Sequence, residues 1–596
     1  MCGAGARRRS ARARRAGARG RHGLRELVGA PGTGPDRRGG GRADPLSDGG
    51  RRGRRRPAAP LVPRGQGQSV RHRRGQAARL RLPARGARRR AGRRAAAGRR
   101  RGGRAGRRRA RRGRDRVHRR TGRLRRRAAA GRPGRGARMS ARARAIVLIT
   151  EGACPELIDR WGPERLPHLH RLRALGASGP LRSDFVPYEA PGLFSAFTGF
   201  APDEHGCFSY WDVHAPDYRP VVLDGSAARR PFLWRRPELT GRRVALVNLF
   251  GTHPVEPVDG YCLSYPMRAT VRACHPRNLP VLLAREGVRP VHDVTVWFTG
   301  GPKDPFVAGV LNADRQRADA ALAMLDGRVG DRPDLTVLNL TAIDRLSHVY
   351  WQETEPGSPV PEADQAVLRA YQLADRVLGE LLERLDDHTS LLAFSEIGFG
   401  PLRSYRSVND VLAAAGLLTL GPDGTPDWSR TTAFEAVQGA QGVNLNLAGR
   451  YRDGAVRPAD RARVLADVAA VLEEHINPAT GTRFLTRAIP REELHGGPAA
   501  DAAPDLVLDP ADWRYLPLGD PFWSGRTNRM LQSGWHRRDS YWAGAGAAFT
   551  AGRGGPARPL DVAPTLLTML GLDPAPDLPG TALTTPALRP APAGAS

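Results

Sequence analysis

Lysine is almost absent from this 596-residue chain; the single one is Lys303. Cysteine is scarce too, at Cys2, Cys154, Cys207, Cys262 and Cys274, with no C-x-x-C pair and no framework spacing. That excludes a disulfide scaffold and favours a reduced, cytoplasmic setting. Cys154 reads as a buried, inert thiol rather than a reactive one. No apolar run reaches the ~18 residues of a membrane span. No apolar h-region follows the basic N-terminal stretch, which argues against a secretory signal. Internal repeats are also missing.

Acidic residues are nearly absent from the first part of the chain. Residues 1–140 hold 49 Arg and 5 Asp or Glu, a surplus of 44 against +38 for the whole chain, so the remainder is net −6. The segment is Arg, Gly and Ala with few aromatics and no sustained apolar period. It cannot bury enough surface to offset chain entropy and reads as disordered. It could be a nucleic-acid-binding arm, a targeting segment, or translation upstream of the true start. The last reading is preferred. Composition changes abruptly at Met139-Ser140, and a G- and C-rich gene read out of frame yields Arg, Gly, Ala and Pro with little Lys. Nucleic acid as a partner rests wholly on this segment.

Residues 141–585 suffice for one large α/β domain, and the Pro- and Ala-rich residues 586–596 read as a disordered tail. Three short apolar runs end in acidic residues. Ile146–Thr150 leads into Glu151-Gly152; Thr336–Thr341 leads to Asp344 with His348 four residues on; Leu391–Ser395 leads into Glu396. Runs of this kind predict strands of a parallel sheet buried on both faces. Ligands of such sheets bind beyond the carboxyl ends of the strands, and carboxylates with a nearby His there suggest a metal centre. The pattern further predicts a helical stretch from Pro155 to about Leu175, a helix starting after Pro191-Gly192, a strand Arg243–Asn248, an amphipathic helix from Val367 to about Leu385, and a helix from Val562 to Leu570 capped by Gly571. Residues 420–440 and 497–530 read as irregular. Residues 205–330 read as a cap insertion, with Trp211, Phe232 and Trp234 as cap core in preference to substrate contacts.

Further motifs occur in order along residues 143–585. They are Leu166-Pro167-His168-Leu169, Gly176–Leu181, Phe197–Pro202 with His205-Gly206, Asp344-x-x-x-His348-x-x-Trp351, Ser395-Glu396-Ile397-Gly398-Phe399-Gly400-Pro401, Gly534-Trp535-His536, and Asp561–Leu566 with Leu570-Gly571-Leu572. Together they resemble the type I phosphodiesterase/nucleotide pyrophosphatase branch of the alkaline phosphatase superfamily. The resemblance implies an α/β sandwich with a mostly parallel central sheet, helices on both faces and a cap. It implies hydrolysis of a phosphate-type ester of a small molecule by two zinc-like ions and a Thr or Ser nucleophile.

Carried over by motif, Asp344, His348 and His536 match one metal site in full, a sound set for Zn²⁺. The other site departs from the pattern. Glu151 stands for the family's first Asp, Glu396-Ile397 stands for its Asp-His pair, and Glu189, in Tyr188-Glu189-Ala190-Pro191, stands at the nucleophile. Thr150, Ser195 and Thr198 read as structural. Glu189 could serve as ligand, carboxylate nucleophile or base for water. The preferred expectation is an atypical metal-dependent hydrolase. An inactive relative kept for binding is one alternative. Another is non-hydrolytic iron or manganese chemistry, because two His and one carboxylate also suit Fe(II), which the fold does not forbid.

Overall fold

The computed structural model describes residues 142–265, 273–291, 300–435, 441–517 and 532–584. The Arg-rich segment, Cys2 and the tail 586–596 lie outside them.

Nine strands among these residues form the main sheet. Their order is Gly552–Arg553, Ala177–Arg182, Asp539–Gly546, Thr389–Phe394, Arg144–Thr150, Leu335–Leu340, Val244–Val247, Gly260–Leu263 and Cys274–His275. The five strands from Thr389–Phe394 to Gly260–Leu263 run parallel, and Asp539–Gly546 runs antiparallel to both its neighbours. The expected mostly parallel α/β sheet is therefore present.

Strand periodicity divides the core. Ile146 and Leu148 face helices Pro155–Arg165, Pro167–Leu175, Lys303–Leu325, Ala342–Tyr350 and Ala366–Leu382. Ala145, Val147 and Ile149 face Glu189–Thr198 and Val562–Met569. Each such fully buried Val, Ile or Leu side chain contributes about 1.5–3 kcal/mol relative to exposure. Register aligns the strand ends, since Ile149 lies opposite both Asn339 and Phe394. Glu151, Thr341 and Ser395 consequently leave the sheet at one level. Gly152 makes the exit possible. Its φ is +83°, and an added Cβ would fall 3.1 Å from the Asp344 Cα, so a larger residue would push the Glu151-Gly152 turn away from the helix that carries Asp344.

Several expectations need correction. The stretch Pro155 to Leu175 is not one helix but is broken twice, at Gly162 with φ +58° and at Leu166 with φ −130°, because the residue before a proline, Pro163 and Pro167 here, is disfavoured in the α region. Residues 205–330 are not a separate cap. Val244–Val247, Gly260–Leu263 and Cys274–His275 belong to the main sheet, and Lys303–Leu325 packs on its core. Phe232 and Trp234 stack at 4.8 Å within the second face's core, and Trp211 also packs against it. Residues 420–435 and 497–517 are not wholly irregular, while 436–440 and 518–530 lie outside the described residues. An antiparallel sheet joins Ala433–Phe434, Gly442–Leu445, Leu506–Pro510 and Leu485–Pro490 over a third core. Cys154 is buried and its thiol is pushed up to about 12 by that burial, which leaves it without thiolate character. No helix of the described residues is long and apolar enough to cross a membrane.

One buried ion pair sets the start of helix Ala342–Tyr350. Arg317 Nη1 donates to Asp314 Oδ1 at 2.6 Å, with 2% and 1% side-chain exposure. The same nitrogen donates to Thr341 Oγ1 at 2.8 Å, and Asp314 Oδ2 accepts the Ala342 N–H at 2.7 Å. Arg317→Met should cost about 3–5 kcal/mol, because it leaves Asp314 charged and buried without its cation. The denaturant midpoint checks this; a change below about 1 kcal/mol would contradict it.

Candidate metal centre

Asp344 and His348 lie four residues apart on helix Ala342–Tyr350, so both project from one face. His536 comes from strand Gly534–Arg537, paired antiparallel with Gly398–Pro401 and placed opposite Phe399. That pairing fastens His536 to the loop that carries Glu396. The ligand atoms of Asp344, His348 and His536 lie within 4.8 Å of one another. His536 Nε2 is 3.1 Å from both Asp344 Oδ1 and His348 Nε2, and His348 Nε2 is 3.4 Å from Asp344 Oδ1. His348 Nδ1 lies 3.3 Å from the Gly534 carbonyl. A proton on Nδ1 makes that hydrogen bond and leaves the Nε2 lone pair facing Asp344 and His536. Two imidazole nitrogens and a carboxylate oxygen converging on one point are the donor set of a divalent, zinc-like ion.

The remaining predicted residues surround Asp344. Glu151, Glu189 and Asp344 form a second group with ligand atoms within 4.8 Å. Glu189 opens helix Glu189–Thr198, four residues earlier than expected. Pro191 is tolerated there because first-turn N–H groups have no helical acceptor. Glu189 Oε2 is 3.6 Å from His536 Nδ1. Glu396 falls in neither ligand group, although it is close to both in charge. An added Cβ at Gly192 would lie 2.8 Å from Glu396 Cγ, so the missing side chain leaves room for that carboxyl beside the helix start. Among the described residues neither Glu396 oxygen has a hydrogen-bond partner.

All of these groups are buried except His348, whose side chain is 14% exposed. Burial, then the charges of Asp344 and Glu151, raises Glu189 well above the usual carboxylate range. Burial, then Glu151 and Glu189, does the same to Glu396. Burial would raise Asp344 as well, but His348, His536 and Arg345 outweigh it and hold Asp344 well below that range. Burial lowers His536 to about 4, which keeps the imidazole neutral and able to ligate.

Three residues at the site were missed from the sequence. Arg345 Nη1 donates to Asp344 Oδ2 at 2.5 Å and lies 3.9 Å from Glu151 Oε1, while its Nη2 donates to the Tyr265 hydroxyl at 3.1 Å. Asn339 Nδ2 donates to Glu151 Oε2 at 2.9 Å. A cation directly after a candidate ligand Asp was the available signal for Arg345. The hydroxyls expected to be structural have other partners: Thr150 meets Tyr541, Ser195 meets His205, and Thr198 donates to the Phe194 carbonyl.

Residues 145–539 match the family model of type I phosphodiesterase/nucleotide pyrophosphatase. The chain belongs to that family of hydrolases. Among solved structures, phosphonoacetate hydrolase from Sinorhizobium meliloti 1021 in complex with phosphonoacetate is similar at 17% identity, over 72% of this chain and 96% of that one, with a TM-score of 0.48. No curated protein matches.

Proposed function

We propose that the chain is a divalent-metal-dependent hydrolase of a phosphate-type ester or related small molecule, atypical in carrying Glu189 where the family has Thr or Ser. The observation that carries this reading is the convergence of Asp344, His348 and His536. Zinc is the first choice of ion for two imidazoles and a carboxylate; bound there, it would act as a Lewis acid on the substrate oxygen. The chain's own residues orient and neutralise. Asp344 sets the anionic charge of the centre, and the Gly534 carbonyl fixes the His348 tautomer. Glu189 projects from its helix start toward His536, and we assign it as the carboxylate that acts on the substrate directly or through water. The four buried free cysteines, Cys154, Cys207, Cys262 and Cys274, support a reducing cytoplasmic setting.

Elemental analysis of the purified chain, with turnover of aryl phosphate mono- and diesters before and after chelation, tests the proposal. Stoichiometric zinc and activity that chelation removes and zinc restores are expected. Iron or manganese in its place would favour the non-hydrolytic alternative, and no bound metal would overturn the reading.

A further inference from the structure

Two ligand groups share Asp344, so a pair of ions bridged by that carboxylate is the simple expectation. The side chains around the second group oppose it. Asp344 Oδ1 faces the two imidazoles. Oδ2, the oxygen left for a second ion, instead holds the Arg345 guanidinium at 2.5 Å. The same nitrogen is within ion-pair distance of Glu151. Tyr265, 4% exposed, accepts from the other terminal nitrogen at 3.1 Å, and the Arg345 side chain is itself only 6% exposed. The guanidinium is thus held from two sides within the carboxylates. Where the family supplies an imidazole, fully buried Ile397 offers no donor. A dication placed among the same carboxylates would stand against a fixed positive charge with only carboxylate ligands.

We propose that the Arg345 guanidinium takes the place of the second ion, so that this chain works with one divalent ion and one arginine. The proposal rests on the metal-dependent reading above. A guanidinium is always charged and matches phosphate oxygens in a planar fork. It therefore offsets the repulsion that Glu151, Glu189 and Glu396 would exert on a phosphate ester. It cannot coordinate a hydroxyl and so cannot activate a Thr nucleophile as an ion does. A carboxylate at Glu189 needs no such activation. One change thereby accounts for both departures, at the second ion and at the nucleophile.

Zinc titration of the metal-stripped full chain by calorimetry, with elemental analysis after desalting, tests this. One equivalent is expected for the unaltered chain and for Arg345→Lys, two for Arg345→Ala, and one again for Arg345→Ala combined with Glu151→Gln. Arg345→Gln replaces the alanine variant if circular dichroism shows that variant unfolded. Two equivalents in the unaltered chain, or one in the neutral variant, would overturn the arginine proposal and leave the hydrolase reading standing. No bound zinc in the unaltered chain would overturn both.

Discussion

His536→Ala should lower affinity for the ion by more than about 100-fold and abolish turnover. Loss of a hydrogen bond that merely supports a metal ligand costs about 10–100-fold, and His536 is proposed as a ligand itself. Its Nε2 is the atom that meets both Asp344 Oδ1 and His348 Nε2 at 3.1 Å. Without it, one imidazole and one carboxylate remain, too few for the closed side of a catalytic zinc site. The strand that carries His536 is secured by backbone pairing to Gly398–Pro401, so the fold should survive. Equilibrium dialysis against zinc, with circular dichroism of the metal-free proteins, checks both parts. Ser195→Ala is the control. That serine lies on the helix of Glu189 and bonds to His205, so its loss should leave zinc binding unchanged. Equal zinc affinity in His536→Ala and the parent would remove His536 from the centre.

The sequence made the middle of the sheet legible because its strands are buried on both faces. Ile146–Thr150, Thr336–Leu340 and Leu391–Phe394 are near-continuous apolar runs, and a parallel sheet under two helix layers requires that. Their carboxyl ends were legible for the same reason, since Glu151, Asp344 and Glu396 interrupt runs that otherwise admit no charge. Strands at the sheet edge carry no such signal. Gly260–Leu263 and Cys274–His275 are four and two residues long, too short for any period to emerge, so the segment around them read as a cap. The strand pairs near 433–445 and 485–510 were obscured similarly, by turn residues between short elements. The direction of a long side chain is also invisible in one dimension. Arg345 follows Asp344 in sequence, yet only the fold shows its guanidinium turned back onto Asp344 and Glu151 rather than out to solvent.

Glu189→Gln should lower kcat by about 10²–10⁴, the usual contribution of a positioned acid–base group. The amide keeps the size of the carboxyl and removes its charge. The three residues proposed to hold the ion are others, so the variant should still bind one equivalent of zinc. A fall in zinc content alongside kcat would instead make Glu189 a ligand. Turnover equal to that of the parent would exclude it from the chemistry. Stability separates these outcomes from simple damage. The folded-state pKa of Glu189 is raised, first by burial and then by Asp344 and Glu151. A carboxyl with a raised pKa costs stability once pH exceeds its unfolded value, and the cost grows until pH reaches the folded value. Gln carries no such cost. Metal-free Glu189→Gln should therefore denature at a higher denaturant concentration than the metal-free parent near neutral pH, with the difference vanishing below the ordinary carboxylate range. A residue present only for packing would lower activity and stability together. A carboxylate held in a destabilising place for its reactivity lowers one and raises the other.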